Sequence, residues 1–533
     1  RPRHTHRHTP TKPAMDVKQL LEKLVRREDL THDEATFAIQ TIASEEATSN
    51  PVQIGVLLAL LAAKGETSCE VAAFAQHMRQ QAIAVHVQTD RPTLDIVGTG
   101  GDGANTVNLS TAAAVLAAAS GALVAKHGNR SVSSRSGSAD VLEELGVPML
   151  APECIAQCIT DANIAFMYAP HFHPAMKYVS PIRKAIKIRS VFNVLGPLLN
   201  PAGCRRVVIG VYTPKLLEVF GNVFQALGIE HGLVVHCAGL DELNSLGVAD
   251  LVEVKKGEPL RRYQLRPDEV GIPPCTLEDL KGGDATENAA ILRRVFAGGA
   301  ASDNAIGNTI AYNAGAGLYV YGLADSIKHG YEMAKATLAS GAALATMNQW
   351  ARVAQQLHGK QQQYARMLVS TYFKMLTVGC GSESCENRHC RSRWKPGNSA
   401  LTLTDAAIQS IYFATKAPVA LCKGMQLESA EERPEVEDDN DDNDDNADVE
   451  FAEQDDATEE TTSQSSTPRR RLSTAVELDL AINLASDKRG EDVLDKAVCP
   501  ADKRRLSLPK QKLIDAIKKS FPQAVDVTQH RSR

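Results

Sequence analysis

From Asp16 the apolar residues Val17, Leu20, Leu21, Leu24 and Val25 recur at the spacing of one helix face, with polar residues between them. Thr31 with Glu34 and Thr67 with Glu70 have the spacing of a capping box, in which a hydroxyl and a carboxylate satisfy the first free amides of a helix. Residues 16–88 therefore predict a small helical domain, preceded by an unstructured leader over 1–15. After Arg91 the texture changes. Leu94–Val97, Val207–Val211, Leu233–His236 and Leu251–Val254 are short β-rich runs, separated by alanine- and leucine-rich stretches such as Ser110–Ser120 and Val141–Leu145 that predict helices. This alternation predicts an α/β domain over 89–358, running through Asn308–Val320 to a last helix near Leu344–Leu357. A cysteine-bearing unit follows at 360–425, then an acidic low-complexity linker at 426–468 and a basic tail at 469–533. The linker cannot bury enough apolar surface to offset the entropy of ordering, so it is expected to be disordered, and the tail mostly so.

Composition agrees with this division. Of 533 residues 43% are hydrophobic, which excludes wholesale disorder. The net charge of −6 hides an acidic block: residues 431–460 hold 17 acids against one Arg, leaving the rest of the chain near +10. No run reaches the roughly 18 apolar residues of a membrane-spanning helix, and neither a membrane nor a nucleic-acid partner is expected. Eleven scattered cysteines do not suit a disulfide scaffold and favour a reducing compartment. Residues 1–14 lack both acids and an apolar stretch, which excludes a secretory signal. A translated leader ahead of Met15, with a cytoplasmic protein, is the expectation; the end of a plastid transit peptide is the alternative.

The strand at Leu94–Val97 runs into Gly98-Thr-Gly-Gly-Asp-Gly103, and Asn108-Leu-Ser-Thr111 then opens an alanine-rich helix. Successive glycines let the backbone turn its N–H groups toward one point, and a helix N-terminus adds positive potential there. The loop is therefore a candidate phosphate cradle. No Lys-Ser/Thr follows, as the nucleotide P-loop requires, and the glycine spacing is not that of a dinucleotide fold. Lys126-His-Gly-Asn-Arg130 and the serine-rich 131–138 add a cation and small polar groups suited to a sugar phosphate. His127 is given no acid–base role, because an ordinary hydrogen-bonded histidine explains it equally well.

The series GTGGDG, NLST, KHGNR, HPAMKYVSPIRK, FNVLGPLLNP and GLDEL, in this order, resembles the anthranilate phosphoribosyltransferases over residues 16–358. The resemblance implies a nucleoside phosphorylase-like α/β phosphoribosyltransferase domain behind the helical one, and a homodimer formed through the helical domain. It also implies joining anthranilate to 5-phosphoribosyl-1-pyrophosphate (PRPP) with release of pyrophosphate. By that match Gly98, Gly100, Gly101, Asp102, Asn108, Ser110, Thr111, Lys126 and Ser138 bind PRPP. Gly98, Asn129, His173, Arg183 and Gly196 bind anthranilate, Arg183 pairing with its carboxylate. Asp241 and Glu242, with Ser110, hold magnesium, at two sites. Carboxylates plus substrate phosphates are the usual magnesium environment. No residue is assigned as acid or base, since a neutral aromatic amine can attack before losing its proton.

Cys380, Cys385, Cys390 and Cys422 give C-x4-C-x4-C, a long gap, and C. Four thiolates suit a structural tetrahedral zinc, and a unit this small gains from a metal staple; four unconnected thiols are the alternative. Tyr364-Ala, Tyr372-Phe, Gly379-Cys-Gly, Asn387 and the cysteines resemble the amino-terminal zinc-binding domain, AZUL, of a HECT-type ubiquitin ligase. That implies a helical zinc module with a protein partner. Arg-Arg-Leu-Ser ends at Ser473 and again at Ser507, as basophilic kinases prefer. Two function classes follow: a phosphoribosyltransferase carrying a zinc module, or a ubiquitin-pathway interaction protein with a vestigial transferase half. The intact cradle, acidic pair and Arg183 favour the enzyme.

Overall fold

The computed structural model describes residues 15–131 and 135–378, with side chains as far as Gln363. One compact unit ends at Gln361. Its first part is helical: α1 (Val17–Val25), α2 (His32–Ile42), α3 (Glu46–Ser49), α4 (Pro51–Lys64) and α5 (Ser68–Gln80). Both expected capping boxes form, Thr31 with Glu34 on α2 and Thr67 with Glu70 on α5. Glu70 is buried and does more than cap. It accepts from the Leu30 and Thr67 amides and pairs with Lys64, tying three helices at one point.

The second part is α/β. It runs β1 (Leu94–Gly98), α6 (Leu109–Ala119), β2 (Val124–Gly128), α7 (Ser138–Glu144), α8 (Pro152–Ala162), β3 (Ile164–Tyr168), α9 (Ala169–Phe172), α10 (Met176–Ile186) and α11 (Phe192–Leu195). Then come β4 (Arg206–Gly210), α12 (Leu216–Ala226), β5 (His231–Cys237), β6 (Ala249–Lys255), β7 (Arg261–Leu265), α13 (Pro267–Val270), α14 (Ala285–Phe296), α15 (Ala305–Tyr321), α16 (Ile327–Ala339) and α17 (Ala342–Val378). The sheet order is β3-β2-β1-β4-β5-β6-β7, parallel from β3 to β5 and antiparallel at β6 and β7. The chain leaves β1 for β2 on one side and returns to β4 on the other, so a crevice opens beyond the carboxyl end of β1, where such sheets bind ligands.

Three features depart from the sequence reading. β3 is apolar throughout and lacks the alternation that separates a strand from a buried helix, while β7 is a mostly polar edge in which only Tyr263 and Leu265 are partly buried. The last helix does not stop near Leu357 but continues to Val378. Finally, α10 packs on the helical domain: a Cβ on Gly55 of α4 would stand 3.3 Å from Ile186 Cγ2. The apolar core is continuous from Leu20 to Leu357. Among the described residues no helix is long and apolar enough to cross a membrane.

Candidate functional site

Gly98 ends β1, and Gly100, Gly101 and Gly103 then take φ of +67°, +85° and +75°, a region that side chains avoid. The turn brings the Gly100 N–H to Asp241 Oδ2 at 2.6 Å, from the loop beyond β5. A Cβ on Gly98 would stand 2.3 Å from that same oxygen, so only glycine admits the carboxylate. On the other flank Arg189 donates to the Gly101 carbonyl at 2.6 Å, its guanidinium 4.6 Å from the Tyr212 ring.

Asn108 is the N-cap residue of α6 but makes no side-chain cap bond. Its amide instead bonds Ser136 in both directions and accepts from Asn288. Ser110 and Thr111 stand in the first turn of α6, whose leading amides have no intrahelical acceptor and point outward at the positive end of the helix. The Thr111 hydroxyl donates to Ser138 Oγ at 2.9 Å, linking α6 to the start of α7.

The carboxylates of Asp102, Asp241 and Glu242 come within 4.8 Å of one another. Burial, then mutual repulsion, raises the pKa of Asp241 and of Glu242 well above the carboxylate range. Glu242 Oε2 is buried without a hydrogen-bond partner, an oxygen that a cation would satisfy. Lys126 is fully buried. Its ammonium donates to the Ile96 carbonyl at 2.6 Å, and burial pushes its pKa down to about 8 against the pull of Asp95, Glu242 and Asp241. The sequence placed Lys126 among the PRPP ligands. In the fold its side chain is fully buried, and Asp95, Glu242 and Asp241 are the charges that act on it. Asp95, also buried, is pushed up to about 6 and is held by Asn200 Nδ2 at 2.7 Å and by the His127 amide.

Among the residues expected at the anthranilate site, His173 Nε2 lies 3.1 Å from His127 Nε2, and His127 Nδ1 lies 3.2 Å from the Gly196 carbonyl. A carbonyl only accepts, so His127 carries its proton on Nδ1, and its bare Nε2 accepts from His173 Nε2–H. That leaves His173 Nδ1 as a bare acceptor, buried and without a partner. Burial holds both rings neutral, His127 down to about 3 and His173 to about 4. Arg183, half-buried on α10, sits 5.6 Å from the Phe192 ring, and among the described residues no carboxylate pairs with it. Burial lowers its pKa. Gly196 borders open space, with nothing within 4 Å of where a Cβ would stand. Asn129 is exposed at the end of β2 and accepts from the Arg130 amide.

The sequence reading did not find Arg189, the His127–His173 pair, the link from Asn108 to Asn288, or the grouping of Asp102 with the acidic pair. An acid inside the apolar strand Leu-Asp-Ile-Val was a usable signal for Asp95; Arg189 had none. Cys380, Cys385, Cys390 and Cys422 lie outside the described residues, as do Ser473 and Ser507. Among the described residues Cys69, Cys158, Cys204, Cys237 and Cys275 are free thiols.

Residues 18–82 match the helical bundle domain of a glycosyl transferase family, and residues 90–344 match the a/b domain of that family. Residues 365–422 match the amino-terminal zinc-binding domain of a ubiquitin ligase, AZUL. Anthranilate phosphoribosyltransferases from a Shewanella and a Roseiflexus species are 41% and 45% identical over 64% and 62% of this chain and 98% and 96% of their own lengths. Among solved structures, the anthranilate phosphoribosyltransferase of Thermus thermophilus is 43% identical, with a TM-score of 0.59 over 63% of this chain and 99% of that one. That of Saccharomyces cerevisiae in complex with PRPP and Mg is 28% identical, with a TM-score of 0.59 over 64% and 98%. With its glycine loop, acidic cluster and histidine pair set on this two-part fold, the chain belongs to the anthranilate phosphoribosyltransferase family.

Proposed function

We propose that the chain transfers the phosphoribosyl group of PRPP to the amine of anthranilate. The observation that carries this is the meeting, at the carboxyl end of β1, of a glycine loop, the N-terminus of α6 and three carboxylates, one with an unpartnered buried oxygen. The loop at Gly98, Gly100 and Gly101, with Asn108, Ser110, Thr111 and Ser138, holds the phosphates of PRPP. Asp241 and Glu242, joined by Asp102 and Ser110, would hold magnesium, which when bound draws charge from the departing pyrophosphate. Lys126 offsets the charge of the cluster from beneath.

The reaction breaks the bond from the anomeric carbon to pyrophosphate, the electron pair leaving with the phosphate. The amine lone pair forms the new C–N bond, and its extra proton is lost afterwards. Arg183 pairs with the anthranilate carboxylate, and Gly196 and Asn129 border the ring. The bare Nδ1 of His173 accepts an N–H of the amine and so aims its lone pair. At a pKa of about 4 that imidazole is too weak a base to remove the proton before attack, so orientation is its contribution. Loss of anthranilate fluorescence that requires both PRPP and Mg²⁺ tests the assignment, and constant fluorescence overturns it. The metal stoichiometry, two ions by resemblance, is read by titration of Mg²⁺ with pyrophosphate present.

Two further parts belong to this reading. A homodimer forms through the helical domain, where Val52 (77% exposed) and Val56 lie one turn apart on α4 and Val25 ends α1; Val52→Glu should yield monomers by light scattering. Cys380, Cys385, Cys390 and Cys422 bind one structural zinc, a set of four thiolates that suits it. Metal analysis should find one zinc per chain, lost when any one of the four is changed to Ser.

A further inference from the structure

We propose that Arg189 couples the two substrate sites, acting as a positioning residue that lets occupancy of the acceptor site order the phosphate loop. The proposal rests on the transferase reading and concerns the connection Lys187–Gly196. Lys187, at φ +52°, ends α10, and the chain beyond it touches three parts of the site in turn. Arg189 donates to the Gly101 carbonyl at 2.6 Å. Phe192 lies beneath the Arg183 guanidinium, 5.6 Å from ring centre to charge. Gly196 accepts from His127 Nδ1, the ring that fixes the tautomer of His173.

The connection is stiff between these points. Ser190 and Asn193 close a tight turn, the Ser190 amide bonding Asn193 Oδ1 at 3.0 Å and the Asn193 amide the Ser190 carbonyl at 2.8 Å, and Val191 and Phe192 are buried. Arg189 itself is exposed, and its hold on the loop is specific. Its guanidinium stacks on Tyr212, whose amide bonds the Thr99 hydroxyl, and the Thr99 amide bonds Gly210. One side chain thus braces both strands of the loop's base. The loop needs a brace, because glycines at φ +67°, +85° and +75° are free to leave the conformation that turns their amides to one point. A carboxylate bound at Arg183 fixes that guanidinium over Phe192, holds the connection, and keeps Arg189 on Gly101. Pyrophosphate then meets a loop whose ordering cost is already met.

The test uses ligands that cannot react together. Pyrophosphate with Mg²⁺ is titrated calorimetrically into the full chain, with and without saturating anthranilate; no ribosyl group is present, so nothing turns over. In the native protein anthranilate should tighten pyrophosphate at least about fivefold, within the usual range of coupling between sites. In Arg189→Ala pyrophosphate alone should bind about tenfold more weakly and the coupling ratio should fall to about one. Arg189→Lys keeps a donor without the stacked plane and should restore part of both. Tyr212→Leu removes the stacking surface, leaves the arginine, and should lower the ratio without abolishing binding. A ratio of one in the native protein, or an unchanged ratio in Arg189→Ala with pyrophosphate simply weakened, overturns the proposal, the latter making Arg189 a direct phosphate ligand only. A native protein that binds neither ligand overturns the transferase reading as well, which separates the two failures.

Discussion

Gly98→Ala puts a methyl group where the structure has a carboxylate oxygen. The new Cβ would stand 2.3 Å from Asp241 Oδ2 and 2.9 Å from its Cγ, whereas ordinary contacts begin at 3.4 Å. Asp241 must therefore retreat by about 1 Å, which carries its bond from the Gly100 amide, now 2.6 Å, beyond the roughly 3.2 Å limit of a good hydrogen bond. Losing one bond to a charged group costs about 1.5–3 kcal/mol, a factor of roughly 10 to 150 in binding. A displacement of this size in a positioned group costs about 100-fold in rate. The expected outcome is a fall in kcat/KM of about 100-fold, with half-saturation moved to higher Mg²⁺, measured as initial loss of anthranilate fluorescence across a magnesium series. Thermal unfolding should shift by no more than the loss of that one bond, about 1.5–3 kcal/mol. Gly196→Ala is the control: its φ of −46° suits alanine and its Cβ meets nothing, so fold and magnesium response should be unchanged while the anthranilate KM rises. Gly98→Ala with kcat/KM within twofold of native at every magnesium concentration would refute the placement of Asp241.

Arg183→Ala should raise the anthranilate KM by about tenfold or more and that for PRPP by less than about threefold, since it removes a partner of one substrate's carboxylate; equal effects would move Arg183 out of the acceptor site. Asp241→Asn with Glu242→Gln should cut turnover by about 100-fold or more and flatten the magnesium titration. It should also raise the melting temperature of the metal-free protein, because two carboxylates with raised pKa values oppose folding at neutral pH; a lowered melting temperature contradicts that. Glu253, on β6, is held down to about 2: burial opposes this, but bonds from His231 and Tyr319 and the charge of Lys255 outweigh it. A depressed pKa contributes stability above the ordinary value of 4.5, about 2–3 kcal/mol, that is lost as pH falls toward 2. Glu253→Gln should therefore be less stable than native at pH 7, with the gap closing between pH 4.5 and 2, and a gap independent of pH would refute the assignment.

What the sequence carried and what it did not divide along a physical line. The glycine loop, both capping boxes and the acidic pair were legible because each is a local requirement: positive φ, a free amide three residues on, two adjacent carboxylates. β3 and β7 were not, because one is apolar without alternation and the other mostly polar, and only their places beside β2 and β6 make them strands. Asp102, far from Asp241 in sequence, joined the acidic cluster only when β1 and β5 were set in one sheet.

Lys126 shows how a motif can name a residue without giving its surroundings. In the sequence it is a cation beside a phosphate loop, and a surface ligand is the natural reading. In the fold its strand lies between β1 and β3, so the side chain passes under β1 and ends on the Ile96 carbonyl. A buried ammonium is tolerated only with compensating charge, here Asp95 below and Asp241 with Glu242 above. The dependence is mutual: three carboxylates gathered before any cation arrives repel one another, and Lys126 is the buried positive charge that lets them gather. Its contribution as a compensating charge is thus made before substrate binds, by letting Asp102, Asp241 and Glu242 gather.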